Sequence, residues 1–144
     1  MASPIYIGVF FKAQNIYAKI TPALSNKIDN PHVTVRFRPE SVDKRLFGAE
    51  VAANVVGYAC DGRNEGWKVE LRSDNVSLQE LIDRIAVPHI TLSVSEDGQP
   101  VDTAKLNFHA VTPFAIANGK FGGFYPNSGV VVKPSQKKPK KRRP

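Results

Sequence analysis

Two short segments of the chain repeat one pattern. Pro31-His32-Val33-Thr34-Val35 and Pro88-His89-Ile90-Thr91-Leu92 both read Pro-His-apolar-Thr-apolar. The chain has three histidines, and two of them carry this motif. An imidazole with an ordinary pKa near 6.5 can take a proton in one step and give one in another. A threonine hydroxyl can donate to a phosphoryl oxygen and offset charge that builds in a transition state. Two histidines and two hydroxyls are therefore a sufficient kit for cleaving a phosphodiester. One neutral imidazole serves as general base and one imidazolium as general acid.

The spacing within each motif is that of a strand. Side chains at i and i+2 share a face. His32 and Thr34 are expected to project together, with Arg36 and Arg38 after them, while Val33, Val35 and Phe37 face a core. In the second segment His89, Thr91, Ser93 and Ser95 share a face against Ile90, Leu92 and Val94. If the two strands lie near each other, their polar stripes line one groove. Arg36 is a candidate phosphate ligand there, because a guanidinium matches phosphate oxygens well. Phe11, Phe124 and Tyr125 are candidates for stacking on a base, as is Phe121. The third histidine, His109, has no hydroxyl two residues on and reads as a structural strand residue.

The elements that must hold these residues follow from hydrophobic pattern. Ile5–Phe11 is apolar and β-rich. Residues 14–27 have helical apolar spacing, interrupted by Pro22. Pro31–Arg38 alternates as a strand. Phe47–Cys60 runs into the turn signal Asp61-Gly62, and Trp67–Leu71 is expected to pair back as a hairpin. Ser77–Ile85 is the strongest helix, with a capping box from Ser77 to Glu80 and an apolar stripe of Leu78, Leu81, Ile82 and Ile85. Pro88–Ser95 is the second motif strand. Phe108–Ala117 is a further strand, with Pro113 signalling an edge or a bulge. Asn118–Gly129 reads as a Gly-rich loop, and Val130–Lys133 as a short last strand. The order β-α-β-β-β-α-β-β-β predicts an α+β fold with antiparallel sheet.

This double motif resembles the 2H phosphoesterase superfamily, the LigT-like family, over about residues 5–117. The resemblance implies a compact bilobal α+β fold, with antiparallel sheets lining a central cleft and helices outside. It implies His32 and His89 as the catalytic pair and Thr34 and Thr91 as phosphate-binding hydroxyls. It also implies hydrolysis of 2′,3′-cyclic phosphates to 2′-phosphates, or cleavage of 2′-5′ oligoadenylate and related cyclic nucleotides, without metal. The histidines lie 57 positions apart, which makes a short inter-motif lobe for that family. The reading is thus a phosphodiesterase acting on an RNA end or a nucleotide. A hydrolase antagonising nucleotide signalling is the alternative within that chemistry. A non-catalytic RNA-binding module is the alternative of another class.

Composition sets the remaining bounds. The chain has 144 residues, 42% of them hydrophobic and 23% charged, enough for one core and too short for a TIM barrel. The net charge is +7, but six of those charges sit in Lys137, Lys138, Lys140, Lys141, Arg142 and Arg143. The body is nearly neutral, so the two are read separately: a domain over 1–133 and a disordered basic tail over 134–144. Such a tail fits RNA phosphates or an import receptor, and so a nuclear or cytoplasmic setting. Cys60 is the only cysteine, so no internal disulfide forms, and it is expected to pack. Trp67 is read as core. Neither motif has a carboxylate at ligand spacing, so no metal or cofactor is expected. No segment has the length of a membrane span, no secretory leader is read at the N-terminus, and a monomer is expected.

Overall fold

The computed structural model describes residues 3–134. The basic run at 137–143 lies outside the described residues. The strands are β1 (Tyr6–Phe10), β2 (Asn26–Lys27), β3 (His32–Phe37), β4 (Glu50–Cys60), β5 (Asn64–Arg72), β6 (His89–Val94), β7 (His109–Tyr125) and β8 (Gly129–Val131). Two helices, α1 (Ala13–Tyr17) and α2 (Val76–Asp83), interrupt them, with 3₁₀ segments at Lys44–Leu46 and Pro100–Lys105. The eight strands form one sheet in the order β2-β6-β5-β4-β7-β1-β3, with β8 on the side of β7. Every pairing is antiparallel. The fold is therefore α+β and dominated by antiparallel sheet. Among the described residues no helix is long and apolar enough to cross a membrane.

Alternation along the strands makes one continuous core. β4 buries every second residue along most of its length, with Val51, Ala53 and Val55 inward. Val9, Val33, Val69, Ile90 and Leu92 join them, and Ile16 of α1 and Leu78 and Ile82 of α2 close over the same cluster. Each such fully buried aliphatic side chain contributes roughly 1.5–3 kcal/mol. Trp67 belongs to this core and meets Phe114 edge-on, with ring centroids 5.5 Å apart. Cys60, expected to pack, is instead exposed at the end of β4.

Local signals explain most of the elements. The β4–β5 hairpin turns where Asp61-Gly62 predicts. Asp61 Oδ1 accepts from the amides of Arg63 and Asn64, each at 2.8 Å, and Gly62 takes a positive φ of 88°. Helix α2 starts earlier than the capping box predicts: Asn75, not Ser77, is the N-cap, and its side chain accepts from Leu78 N. The helix expected over residues 14–27 stops at Tyr17. Beyond it, Ala23 N donates to Glu65 Oε1 at 3.0 Å and Leu24 N to Ser93 Oγ at 3.2 Å. These long-range bonds and Pro22 hold the segment out of helical conformation.

The Gly-rich stretch expected as a loop is strand. β7 runs 17 residues to Tyr125 without a break. Its glycines serve close approach: a Cβ at Gly119 would lie 2.7 Å from Val9 Cγ1 and 2.8 Å from a ring carbon of Phe11. Two register shifts against β4 bend this long strand, and Pro113 falls inside one of them, as the sequence predicts. β7 pairs with β4 over His109–Lys120 and with β1 over Lys120–Phe124, so it joins the two parts of the sheet.

Candidate active site

The repeated motif folds into a repeated local structure. His32 lies opposite Phe10 in the β1–β3 pair, and His89 lies opposite Lys68 in the β5–β6 pair. Two residues on, Thr34 faces Gly8 and Thr91 faces Gly66, and each pair has a register shift just beyond that glycine. A Cβ at Gly8 would sit 2.5 Å from Val33 O, and one at Gly66 would sit 3.0 Å from Ile90 O. Each glycine thus lets its strand close onto the residue between the histidine and the threonine. The prolines match as well: Pro31 O accepts from Phe11 N, and Pro88 O from Val69 N, both at 3.0 Å.

β3 and β6 lie towards opposite ends of the strand order, yet they approach within 8 Å of each other, Cα to Cα. The sheet bends so that the two motif strands run side by side. His32, Thr34, His89 and Thr91 are all half-buried.

The backbone sets the protonation pattern of both rings. Nδ1 of His32 lies 2.8 Å from Asn30 O, and Nδ1 of His89 lies 2.8 Å from Val87 O. A carbonyl oxygen only accepts, so each Nδ1 carries a proton and each Nε2 is left facing away from that bond. His32 is also stacked. The Tyr6 ring lies 4.6 Å from it at 21°, and Phe10 sits 5.6 Å away. Burial pushes the His32 pKa below its ordinary 6.5, and charge on His89 pushes the same way, while the Asn30 carbonyl opposes both. Burial also raises the Tyr6 phenol to about 12, so it keeps its proton at neutral pH.

The sequence-predicted neighbours divide. Phe124 stacks on Tyr6 at 5.3 Å and extends the aromatic row that ends on His32. Phe11 and Tyr125 are buried core residues, as is Phe121, packed edge-on against Phe47. None of these three is free to stack on a base. Arg36 leaves the groove. The shift between Ile7 and Gly8 sets Arg36 opposite Ile7 and Thr34 opposite Gly8, which doubles Val35 and Arg36 against one partner. A bulge of this kind re-aims the side chain after it. Arg36 accordingly lines a separate cavity of about 330 Å³ with Ile7, Leu46, Leu81, Arg84 and Phe121. Ser93 is displaced by the matching shift in β5–β6. It is fully buried and donates to Glu65 Oε1 at 2.6 Å.

Several residues at the site carry weak signals in sequence. Tyr6 and Phe10 are readable only from the alternation of β1 around Gly8. Thr103 and Asn64 have no local signature: both are buried, Thr103 meets the Thr91 hydroxyl, and Asn64 meets Thr103. His109 packs edge-on against Tyr58, as a structural strand residue does. Among the described residues no group of three or more His, Cys, Asp or Glu is placed to hold a metal ion. No family model matches the chain, and neither the curated proteins nor the solved structures contain a match.

Proposed function

We propose that the chain is a 2H-type phosphodiesterase that opens a 2′,3′-cyclic phosphate at an RNA end or on a nucleotide. The observation that carries this reading is the matched pair of imidazoles on neighbouring strands. Each has its Nδ1 proton fixed on the carbonyl two residues back and a threonine two residues on. Random core histidines have no reason to share that construction twice.

The groups differ in the way two proton transfers require. His32, covered by Tyr6 and Phe10, is held neutral and presents Nε2 as a base. It takes a proton from water as the water oxygen bonds to phosphorus. The P–O3′ bond breaks, and His89 donates its Nε2 proton to the leaving 3′ oxygen. The product carries a 2′-phosphate and a 3′-hydroxyl. The proton on His32 is then lost to solvent and His89 is reprotonated from solvent. Thr34 and Thr91 donate to the non-bridging oxygens while charge builds on them. The Tyr6–Phe124 shelf beside His32 offers a flat apolar surface to the base of the nucleotide.

A substrate panel tests the reading. Purified protein is incubated with 2′,3′-cyclic nucleotides, a cyclic-phosphate-ended RNA, 2′-5′ oligoadenylate and a 3′-5′ control, and products are separated by chromatography. Opening of the cyclic phosphates to 2′-phosphates is the expected result. Cleavage of the 2′-5′ linkage alone moves the activity to signalling nucleotides. Salt-sensitive RNA binding without turnover on any substrate replaces the enzyme with a binding module.

A further inference from the structure

Thr34 and Thr91 stand at matching positions, but among the described residues only the Thr91 hydroxyl is held by side-chain hydrogen bonds. Its Oγ1 lies 2.9 Å from Oγ1 of Thr103, on the 3₁₀ segment Pro100–Lys105 that packs across β6. Thr103 is fully buried. Its hydroxyl oxygen also accepts from Nδ2 of Asn64 at 2.9 Å, and the second Nδ2 proton goes to Gln99 O at 2.7 Å. Asn64 is itself buried, and both of its amide protons are committed.

Proton counting sets a direction. Thr103 has one hydroxyl proton and accepts at its oxygen from Asn64. A buried hydroxyl proton without an acceptor carries a desolvation penalty. Among the described residues, the hydrogen-bond partner of Thr103 besides Asn64 is Thr91. Thr91 is half-buried, so its own proton has somewhere else to go: Pro100 O lies 3.4 Å away. That is long for an O–H···O bond and yields readily to a better acceptor.

We propose that the hydrogen bonds run one way, from the Asn64 amide N–H to Thr103 and from the Thr103 O–H to Thr91, leaving the Thr91 proton directed into the histidine groove as a pre-aimed donor to a phosphoryl oxygen. Thr103 and Asn64 are then positioning residues, acting through Thr91. The inference rests on the phosphodiesterase reading above. It breaks the symmetry of the site: Thr91 donates along a fixed direction, and Thr34 turns freely. Donors fixed in advance need no reorganisation during the reaction, and donors linked in a chain polarise one another.

Kinetics and NMR together test it. Thr103→Val keeps the volume and removes the hydroxyl, and Thr103→Ser keeps the hydroxyl. On a 2′,3′-cyclic nucleotide, Thr91→Val is expected to lower kcat about 10²–10³-fold and Thr103→Val about tenfold, with little change in KM. The double variant should be no slower than Thr91→Val, and Thr103→Ser should stay near wild type. A kcat unchanged in Thr103→Val, or multiplicative losses in the double variant, would overturn the proposal. In the NMR arm, the slowly exchanging hydroxyl proton should belong to Thr103. Titration with inorganic phosphate should shift Thr91 in the wild type and much less in Thr103→Val. A protected proton on Thr91 reverses the order and also overturns the proposal. A wild type inert on every phosphodiester sinks the enzyme reading instead, and the phosphate titration then decides the hydroxyl order alone.

Discussion

The phenol ring of Tyr6 lies nearly parallel to the imidazole of His32, with centroids 4.6 Å apart and 21° between the planes. That contact removes water from one face of the ring and is part of why burial depresses the His32 pKa. As the proposed base, His32 must be unprotonated to act, so the expected rate falls as pH drops through that pKa. Tyr6→Leu re-admits water and raises the pKa towards 6.5. The acidic limb of the kcat/KM profile is expected to move to higher pH. An unmoved limb would show that Tyr6 does not set the basicity of His32.

The same depression links stability to pH. The unfolded chain binds a proton at His32 below about 6.5, and the folded chain binds it only at lower pH. Between those two values the unfolded state holds more protons, so stability falls as pH falls. A melting series from pH 7.5 to 5 is expected to show a declining Tm in the wild type and a flatter slope in His32→Asn. Equal slopes would remove His32 as the source.

In the proposed mechanism each imidazole carries one of the two proton transfers. His32→Ala and His89→Ala should each lower kcat/KM by about 10²–10⁴-fold while the circular dichroism spectrum is retained. Full turnover in either variant ends the paired mechanism.

The glycines opposite the threonines are tested by a single methyl. The Cβ of Gly8→Ala would meet Val33 O at 2.5 Å, and that of Gly66→Ala would clash with Thr103 Cγ2. Each strand pair must shift to relieve the clash, at a cost of roughly 1–3 kcal/mol. Chemical denaturation measures the loss. Turnover should fall further than stability accounts for, because the displaced atoms adjoin Thr34 and Thr91.

Glu65 anchors the segment after α1. It is fully buried and accepts from Ala23 N at 3.0 Å, Tyr58 Oη at 2.7 Å and Ser93 Oγ at 2.6 Å. Glu65→Ala leaves three donors without their acceptor and should destabilise the fold by about 3 kcal/mol or more. Hydrogen exchange should show new opening at residues 18–25, and protection unchanged there would refute the anchor.

The motif strands were legible because alternation and the His-x-Thr spacing are local properties. β3, β6 and α2 all stand close to where pattern places them. The side-by-side approach of β3 and β6 has no local signal, since the whole strand order produces it. Bulges were the main source of error. An extra residue in a ladder leaves no mark on hydrophobic pattern, yet it carried Arg36 and Ser93 away from a stripe that simple alternation gave them. Glycines misled in β7, where they serve close packing and not a turn. The helix expected over residues 14–27 was lost to Glu65 and Ser93, which lie far along the chain and outcompete local propensity.

The pairing of β1 with β7 has a consequence for the order in which the chain matures. During synthesis the strand that supports His32 emerges well before the strand it must pair with. Until Tyr125 has been made, one edge of β1 has no partner, and the first histidine has a scaffold open on that side. Contacts so distant in sequence close slowly, and an unpaired edge is an invitation to other chains. A nascent chain of this protein therefore completes the scaffold of the candidate site only once β7 has been made, and chain shortened before β7 is exposed to aggregation.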